Sequence, residues 1–249
     1  MTRVGVVGAA GRMGQAVCQA VSRAADLELV ARVGSGDALD VLRAAGAQVA
    51  VDFTAPEAVA DHVAWMLEEG VHAVVGTTGW TDTDVERWRR LSASGDANAV
   101  VAPNFALGAV LMMRFAAMAA RHLQHVEVIE LHHDRKRDAP SGTALRTAEM
   151  IAAARGEVPT TLLEDGARPG SRGVDVHGIR VHAVRLPGLV ANQAVIFGGD
   201  GQTLTIRHDT VDRTAFVPGV LLAIREVASR RGVTVGLEHL LSLETEGSP

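Results

Sequence analysis

The sequence contains one lysine, Lys136, against 23 arginines among its 24 basic residues. Lys136 lies within His132-His133-Asp134-Arg135-Lys136-Arg137-Asp138-Ala139-Pro140-Ser141-Gly142-Thr143. A chain that uses arginine for every other cation and keeps one lysine points to a need for a compact ammonium with a movable proton. The plain alternative is a leftover surface lysine. His132 and His133 add two imidazoles, and either is a candidate proton donor near neutral pH. Adjacent residues of a regular strand face opposite ways, so both serve one site only if the strand ends there. The structural alternative is a hydrogen-bonded histidine of the scaffold. No cysteines or paired carboxylates stand at metal-ligand spacing around them, so no metal site is expected. Ser141-Gly142-Thr143 follows Pro140 and opens a helical pattern. Its two hydroxyls, its N–H groups and the positive end of the helix dipole form a receptor for a carboxylate or phosphate. Taken alone, this is a simple N-cap. With Lys136 five residues earlier, anion binding is the better reading.

A second set of chemistry-bearing residues lies in the first hundred positions. Gly8-Ala9-Ala10-Gly11-Arg12-Met13-Gly14 follows the strand Val4–Val7 and opens a helix. Glycines there allow a tight turn and close approach of backbone to a pyrophosphate, so the segment reads as a dinucleotide loop. An acidic ribose ligand is expected roughly 20 residues on, at the end of the second strand. That region reads Ala31-Arg32-Val33-Gly34-Ser35-Gly36-Asp37, with no acid at the strand end and Asp37 arriving late, in the loop. Arg32 and Ser35 suit a 2′-phosphate, which tilts the choice slightly towards NADPH over NADH. Gly76-Thr77-Thr78-Gly79 lets a nicotinamide ribose lie against backbone, or is a plain turn. Ala102-Pro103-Asn104-Phe105 offers an amide and a ring near a nicotinamide, or a hinge.

The elements that carry these residues alternate. Strands are expected at Val4–Val7, Leu27–Val33, Val49–Phe53, Val71–Val75 and Ala99–Ala102. Helices are expected at 12–24, 38–45, 56–69 and 81–92, the last with Thr81 and Asp84 close to a capping box. This order predicts an α/β fold, with an N-terminal Rossmann-like parallel sheet and ligands at the carboxyl ends of its strands. The pattern then changes. Helices are expected at 107–122 and 143–155, strands at 126–131, 179–186, 193–197 and 203–208, and a loop at 157–178. Gly199-Asp200-Gly201 reads as a hairpin turn. The second part is therefore an α+β domain with a mixed or antiparallel sheet. A last helix, Pro218 to Arg231, is expected to return to the first domain. The expected division is 1–104 for the dinucleotide, completed by 217–249, and 105–216 for substrate and assembly.

Composition narrows the classes. The chain has 249 residues, 47% hydrophobic and 21% charged, with net charge -5. The only basic run, Arg135-Lys136-Arg137, is flanked by Asp134 and Asp138, so no nucleic-acid partner is expected. No apolar run approaches a membrane span. Cys18, the single cysteine, sits in an apolar helical pattern and has no intrachain partner for a disulfide. The first residues lack the pattern of a secretion signal, and a reducing cytoplasm is expected.

Together the motifs resemble the 4-hydroxy-tetrahydrodipicolinate (dihydrodipicolinate) reductase family. The resemblance rests on Gly8–Gly14, Asp52-Phe53-Thr54, Gly76–Gly79, Ala102–Phe105 and above all Glu130 to Thr143, and it spans almost the whole chain. It implies NAD(P)H-dependent reduction of a cyclic dicarboxylate in lysine and diaminopimelate biosynthesis. It implies that His132 moves the proton, with Lys136 as partner cation or proton donor. His133, Ser141, Gly142 and Thr143 become substrate contacts. Gly8, Ala9, Ala10, Gly11, Arg12, Met13, Gly76, Thr77, Thr78, Ala102, Pro103, Asn104 and Phe105 become cofactor contacts. A homotetramer built through the second domain's sheet is also implied. Gly34 departs from the family's acidic position and leaves the choice of cofactor open. Two other readings share the glycine loop: a different Rossmann dehydrogenase acting on an aspartate-derived or sugar substrate, and a dinucleotide-sensing module without catalysis.

Overall fold

A computed structural model describes residues 1–156, 168 and 170–241. The chain divides into two compact units, Met1–Leu107 with Arg213–Pro249, and Gly108–Asp212.

The first unit begins with β1 (Thr2–Val7), α1 (Arg12–Arg23), β2 (Leu27–Val33), α2 (Asp40–Ala44), β3 (Val49–Asp52), α3 (Pro56–Glu68), β4 (His72–Val75), α4 (Asp82–Ser94) and β5 (Ala99–Val101). The strands are short apolar runs, fully buried in β3 and β5. Strands covered on both faces read as continuous apolar runs, as here. Local chemistry sets the helix ends. Pro56 occupies the first turn of α3, where its missing N–H costs nothing. At α4 the expected capping box forms: Thr81 Oγ1 accepts the Asp84 N–H at 3.3 Å, and Asp84 Oδ2 accepts the Thr81 N–H at 2.8 Å.

The second unit holds α5 (Leu107–Ala119) beyond its first residue, β6 (His125–His132), α6 (Gly142–Arg155), β7 (Val174–Val176), β8 (Ile179–Arg185), β9 (Ala191–Gly199) and β10 (Gln202–Thr210). The chain then returns to the first unit with α7 (Val217–Glu226) and β11 (Val233–Val235). The first sheet is wholly parallel, in the order β11-β5-β4-β3-β1-β2. Strand order reverses between β1 and β3, and that switch point opens a crevice at the carboxyl edge. The second sheet, β10-β9-β6-β8-β7, is mixed: β6 and β8 run parallel and the other neighbours antiparallel.

Three expectations change. The last helix is shorter than expected, ending at Glu226 and continuing as a 3₁₀ turn through Ser229. Behind it, Val233-Thr234-Val235 adds a sixth strand beside β5, too short to stand out in the sequence. Part of the expected 157–178 loop is β7, which pairs with β8; residues 157–167 and 169 lie outside the described residues. Arg225 clamps Asp26 at 2.7 and 3.0 Å, and Gly219 packs where a Cβ would lie 2.1 Å from the Phe105 carbonyl oxygen. Among the described residues no helix is long and apolar enough to cross a membrane.

Candidate active site

In the first unit the glycine loop leaves β1 and turns into α1. Gly8 has φ +78, and a Cβ there would lie 2.4 Å from the Phe53 carbonyl oxygen. A Cβ on Gly14 would lie 2.1 Å from the Gly8 carbonyl oxygen. Only glycine permits this packing of loop on helix. Gly11 caps α1 without a side chain, so the helix end keeps N–H groups without intrahelical partners. That end borders a cleft of about 360 Å³ lined by Gly11, Arg12, Met13, Gly76, Thr77 and Thr78, six of the candidate cofactor contacts. Phe53, Thr54, Pro56 and Arg213 complete its walls.

The remaining expected cofactor residues stand differently. Gly8 borders a neighbouring slot, while Ala9 and Ala10 do not line the cleft. Ala102 is buried and its N–H donates to the Val75 carbonyl at 3.0 Å. Pro103 is exposed, and Asn104 Oδ1 accepts the Ala106 N–H at 2.8 Å. The Phe105 ring is 2% exposed and meets Phe53 edge-on at 6.1 Å, so it props the floor and offers no face.

A buried cluster beneath this cleft joins Asp52, Thr54 and Thr77 to His62, which the sequence did not single out. Asp52, at the end of β3, is fully buried. Its Oδ1 accepts from Thr77 Oγ1 at 2.6 Å, Thr54 Oγ1 at 2.7 Å and Thr54 N–H at 3.0 Å, and its Oδ2 meets His62 Nδ1 at 2.8 Å. Buried carboxylates survive only when so satisfied. The cluster locks the ends of β3 and β4 together, which shapes the cleft floor.

In the second unit β6 ends at His132, so His133 falls just past the last regular position. Residues two apart share a face of a strand. Glu130 and His132 do so, and Glu130 Oε2 lies 2.5 Å from His132 Nδ1. Glu130 is fully buried. Arg185, at the end of β8, grips both its oxygens at 2.7 Å and also donates to the Asp138 carbonyl at 2.6 Å. The Ser141 N–H donates to Glu130 Oε1 at 3.0 Å. One carboxylate thus collects the end of β6, the end of β8 and the start of α6. Gln193 Nε2 donating to Thr147 Oγ1 at 2.8 Å holds α6 to β9.

Ser141 is 2% exposed, and its Oγ accepts the Ala144 N–H at 3.2 Å as the helix cap. Gly142 borders open space. Lys136 Nζ donates to both oxygens of Asp138 at 2.8 Å, leaving one of its three protons for another acceptor. His133 Nδ1 is buried with no partner among the described residues. Glu130 and Arg185 are the two members of this cluster that the sequence did not single out as candidates. A glutamate two positions before a histidine on a strand is the one local signal for the first; nothing local marks the second.

Burial pushes the Glu130 carboxyl up, but Arg185 and His132 outweigh it and hold it below the usual carboxylate range. It is therefore ionised and accepts only, so His132 Nδ1 carries the hydrogen between them and Nε2 becomes the outward nitrogen. Burial pulls His132 below its ordinary value. Glu130 opposes this, while the charges of Lys136 and Arg185 reinforce it.

A parallel sheet with a glycine loop at its switch point, joined to a mixed-sheet unit bearing an imidazole and an ammonium, defines a Rossmann-type nicotinamide oxidoreductase with an appended second unit. Family models narrow this class. Those for the N-terminus and the C-terminus of dihydrodipicolinate reductase match residues 2–105 and 108–241. The chain belongs to the dihydrodipicolinate reductase family. It is 54% identical to the 4-hydroxy-tetrahydrodipicolinate reductase of Nocardia farcinica over 97% of this chain and 99% of that one. Against that of Corynebacterium diphtheriae the identity is 52%, with the same coverage. A dipicolinate-bound dihydrodipicolinate reductase from Paenisporosarcina sp. TG-14 superposes with a TM-score of 0.88 at 38% identity, covering 97% of this chain and all of that one.

Proposed function

We propose that this protein reduces 4-hydroxy-tetrahydrodipicolinate with NAD(P)H, in lysine and diaminopimelate biosynthesis, and that His132 supplies the proton. The observation that carries the site assignment is Glu130, whose single buried carboxylate gathers His132, Ser141 and Arg185. The unit Met1–Leu107 with Arg213–Pro249 is the cofactor unit, and Gly108–Asp212 the substrate and assembly unit.

The residues present fit a dinucleotide. The α1 N-terminus offers N–H donors to a pyrophosphate, and Gly11 and Gly76 add no side chain to the cleft. Loss of the 4-hydroxyl as water gives the ring a conjugated C=C–C=N system, and a bound nicotinamide would supply hydride to one of its carbons. Everything else falls to this chain's own groups. Glu130 holds His132 by Nδ1, so the transferable proton resides on Nε2 and passes to the enamine-like intermediate. The burial that lowers the His132 pKa makes its imidazolium a stronger acid. The remaining Lys136 proton and the N-terminal end of α6 at Gly142 and Thr143 hold a substrate carboxylate. Ser141 contributes as the cap of that helix, and His133 as a further polar contact to the ring or its carboxylate.

A homotetramer is part of this reading. The edge strands of the second sheet carry exposed apolar residues, Leu204 on β10 and Val174 on β7, at 41% and 48%. A cytoplasmic location agrees with the free Cys18.

The test is oxidation of NADPH and of NADH, with substrate generated in place by the preceding synthase from pyruvate and aspartate semialdehyde. Oxidation that depends on the synthase is expected. Folded protein that oxidises neither would overturn the reading. Light scattering checks the tetramer; a monomer would remove that part.

A further inference from the structure

A second hollow, of about 350 Å³, opens on the carboxyl edge of the parallel sheet. Gly8, Gly34, Ser35 and Asp37 wall one side, from the ends of β1 and β2; Ala58 and His62 of α3 wall the other. It shares Gly8 with the glycine loop, so it suits the adenosine end of a dinucleotide whose pyrophosphate rests on α1. Folds of this kind read the adenosine ribose with an acid at the end of the second strand. Gly34 has no side chain to do so. The loop after it turns back on itself. The Asp37 N–H bonds the Gly34 carbonyl at 3.3 Å, and the Gly34 N–H donates to Asp37 Oδ2 at 2.8 Å. The turn brings a carboxylate from three residues downstream back to the strand end. Its Oδ1 makes no hydrogen bond to another described residue.

We propose that Asp37 takes over the ribose-reading role that Gly34 cannot fill, so that this slot selects the 2′-hydroxyl of NADH over the 2′-phosphate of NADPH. The inference rests on the dinucleotide reading of the glycine loop. Charge supports it. Among the described residues no lysine or arginine lines the slot, and Asp37 and His62 are the titratable groups that do. His62 turns its Nδ1 to Asp52, 2.8 Å away. Arg32, the cation that tilted the sequence towards NADPH, is absent from the lining. Its neighbours Ala31 and Val33 are buried and Arg32 is exposed on the other face of β2, where its charge acts on Cys18 of α1. A 2′-phosphate would bring close to two negative charges beside a carboxylate. Of the two hydroxyls in the lining, that of Thr54 already donates to Asp52 Oδ1 at 2.7 Å, which leaves Ser35 as a neutral donor. A ribose hydroxyl instead donates to that carboxylate, one of the stronger kinds of hydrogen bond.

The experiment measures the dissociation constants of NADH and NADPH for the full chain by calorimetry, without substrate. Wild type is expected to bind NADH about tenfold or more tightly than NADPH. Asp37→Ser, an exposed loop change, is expected to lose most of that ratio through weaker NADH binding. His62→Ala is expected to weaken both nucleotides alike, because the adenine is common to them. NADPH binding as tight as NADH, or a ratio unmoved in Asp37→Ser, overturns the inference while leaving the dinucleotide site standing. Folded protein that binds neither nucleotide overturns both.

Discussion

Glu130 and His132 face each other across a single β6 pleat, with Oε2 and Nδ1 2.5 Å apart, and the carboxylate is fully buried. A buried anion held by Arg185 and the Ser141 N–H does not reorient. It therefore fixes the ring orientation and tautomer of the histidine. The same carboxylate anchors the loop that carries Lys136, so the proposed proton donor and the proposed anion site are set by one group.

If Nε2 of His132 delivers the proton, His132→Ala should lower kcat by about 10²–10⁴-fold, the usual worth of general acid catalysis. Cofactor binding should change little. Steady-state kinetics beside nucleotide titration checks both, and a fully active variant would remove His132 from the mechanism.

Lys136→Arg keeps the charge but replaces a compact ammonium with a planar fork. The Asp138 chelate and the remaining proton both depend on the ammonium. A large fall in kcat/KM is expected. Unchanged kinetics would make Lys136 an ordinary surface cation.

The pH dependence follows from the direction of the His132 shift. The acid must be protonated to donate, so kcat/KM should fall as pH rises through its pKa. Burial, helped by Lys136 and Arg185, places that midpoint below the ordinary histidine value of about 6.5. A pH profile of kcat/KM with its falling limb centred above that value would contradict this account.

Arg185→Ala strands the Glu130 charge in the core. Breaking one side of a buried pair costs about 3 kcal/mol or more, equivalent to a Tm loss of about 10 °C at this chain length. Thermal unfolding reads this directly. A shift under one degree would mean that the pair contributes nothing to stability.

Gly14→Ala would press a methyl carbon to within 2.1 Å of the Gly8 carbonyl oxygen. Loop and helix must separate, at about 2 kcal/mol, and the nucleotide seat deforms. NADH and NADPH affinity should both fall at least tenfold, with His132 untouched. Wild-type affinity in calorimetry would show that the loop relaxes freely.

Much of this was legible in the chain itself, because it depends on local chemistry. Apolar runs of four to seven residues alternating with amphipathic helices specify a parallel sheet. Glycines at 8, 11 and 14 specify the tight turn and the helix start after its first strand. Thr81 and Asp84, or Ser141 before its helix, carry their caps within four residues. The run from His132 to Thr143 named the candidate groups of the proposed site by type and order. Tertiary structure decided what lies between distant segments. Arg185 stands 55 positions from Glu130 and meets it only because β6 and β8 pair in parallel. Val233–Val235 is too short to be a strand until β5 offers it a ladder. The turn back from Asp37 to Gly34 turns a loop residue into a strand-end carboxylate. Short-range periodicity and capping are written residue by residue; a buried charge finds its partners only after the chain has closed around it.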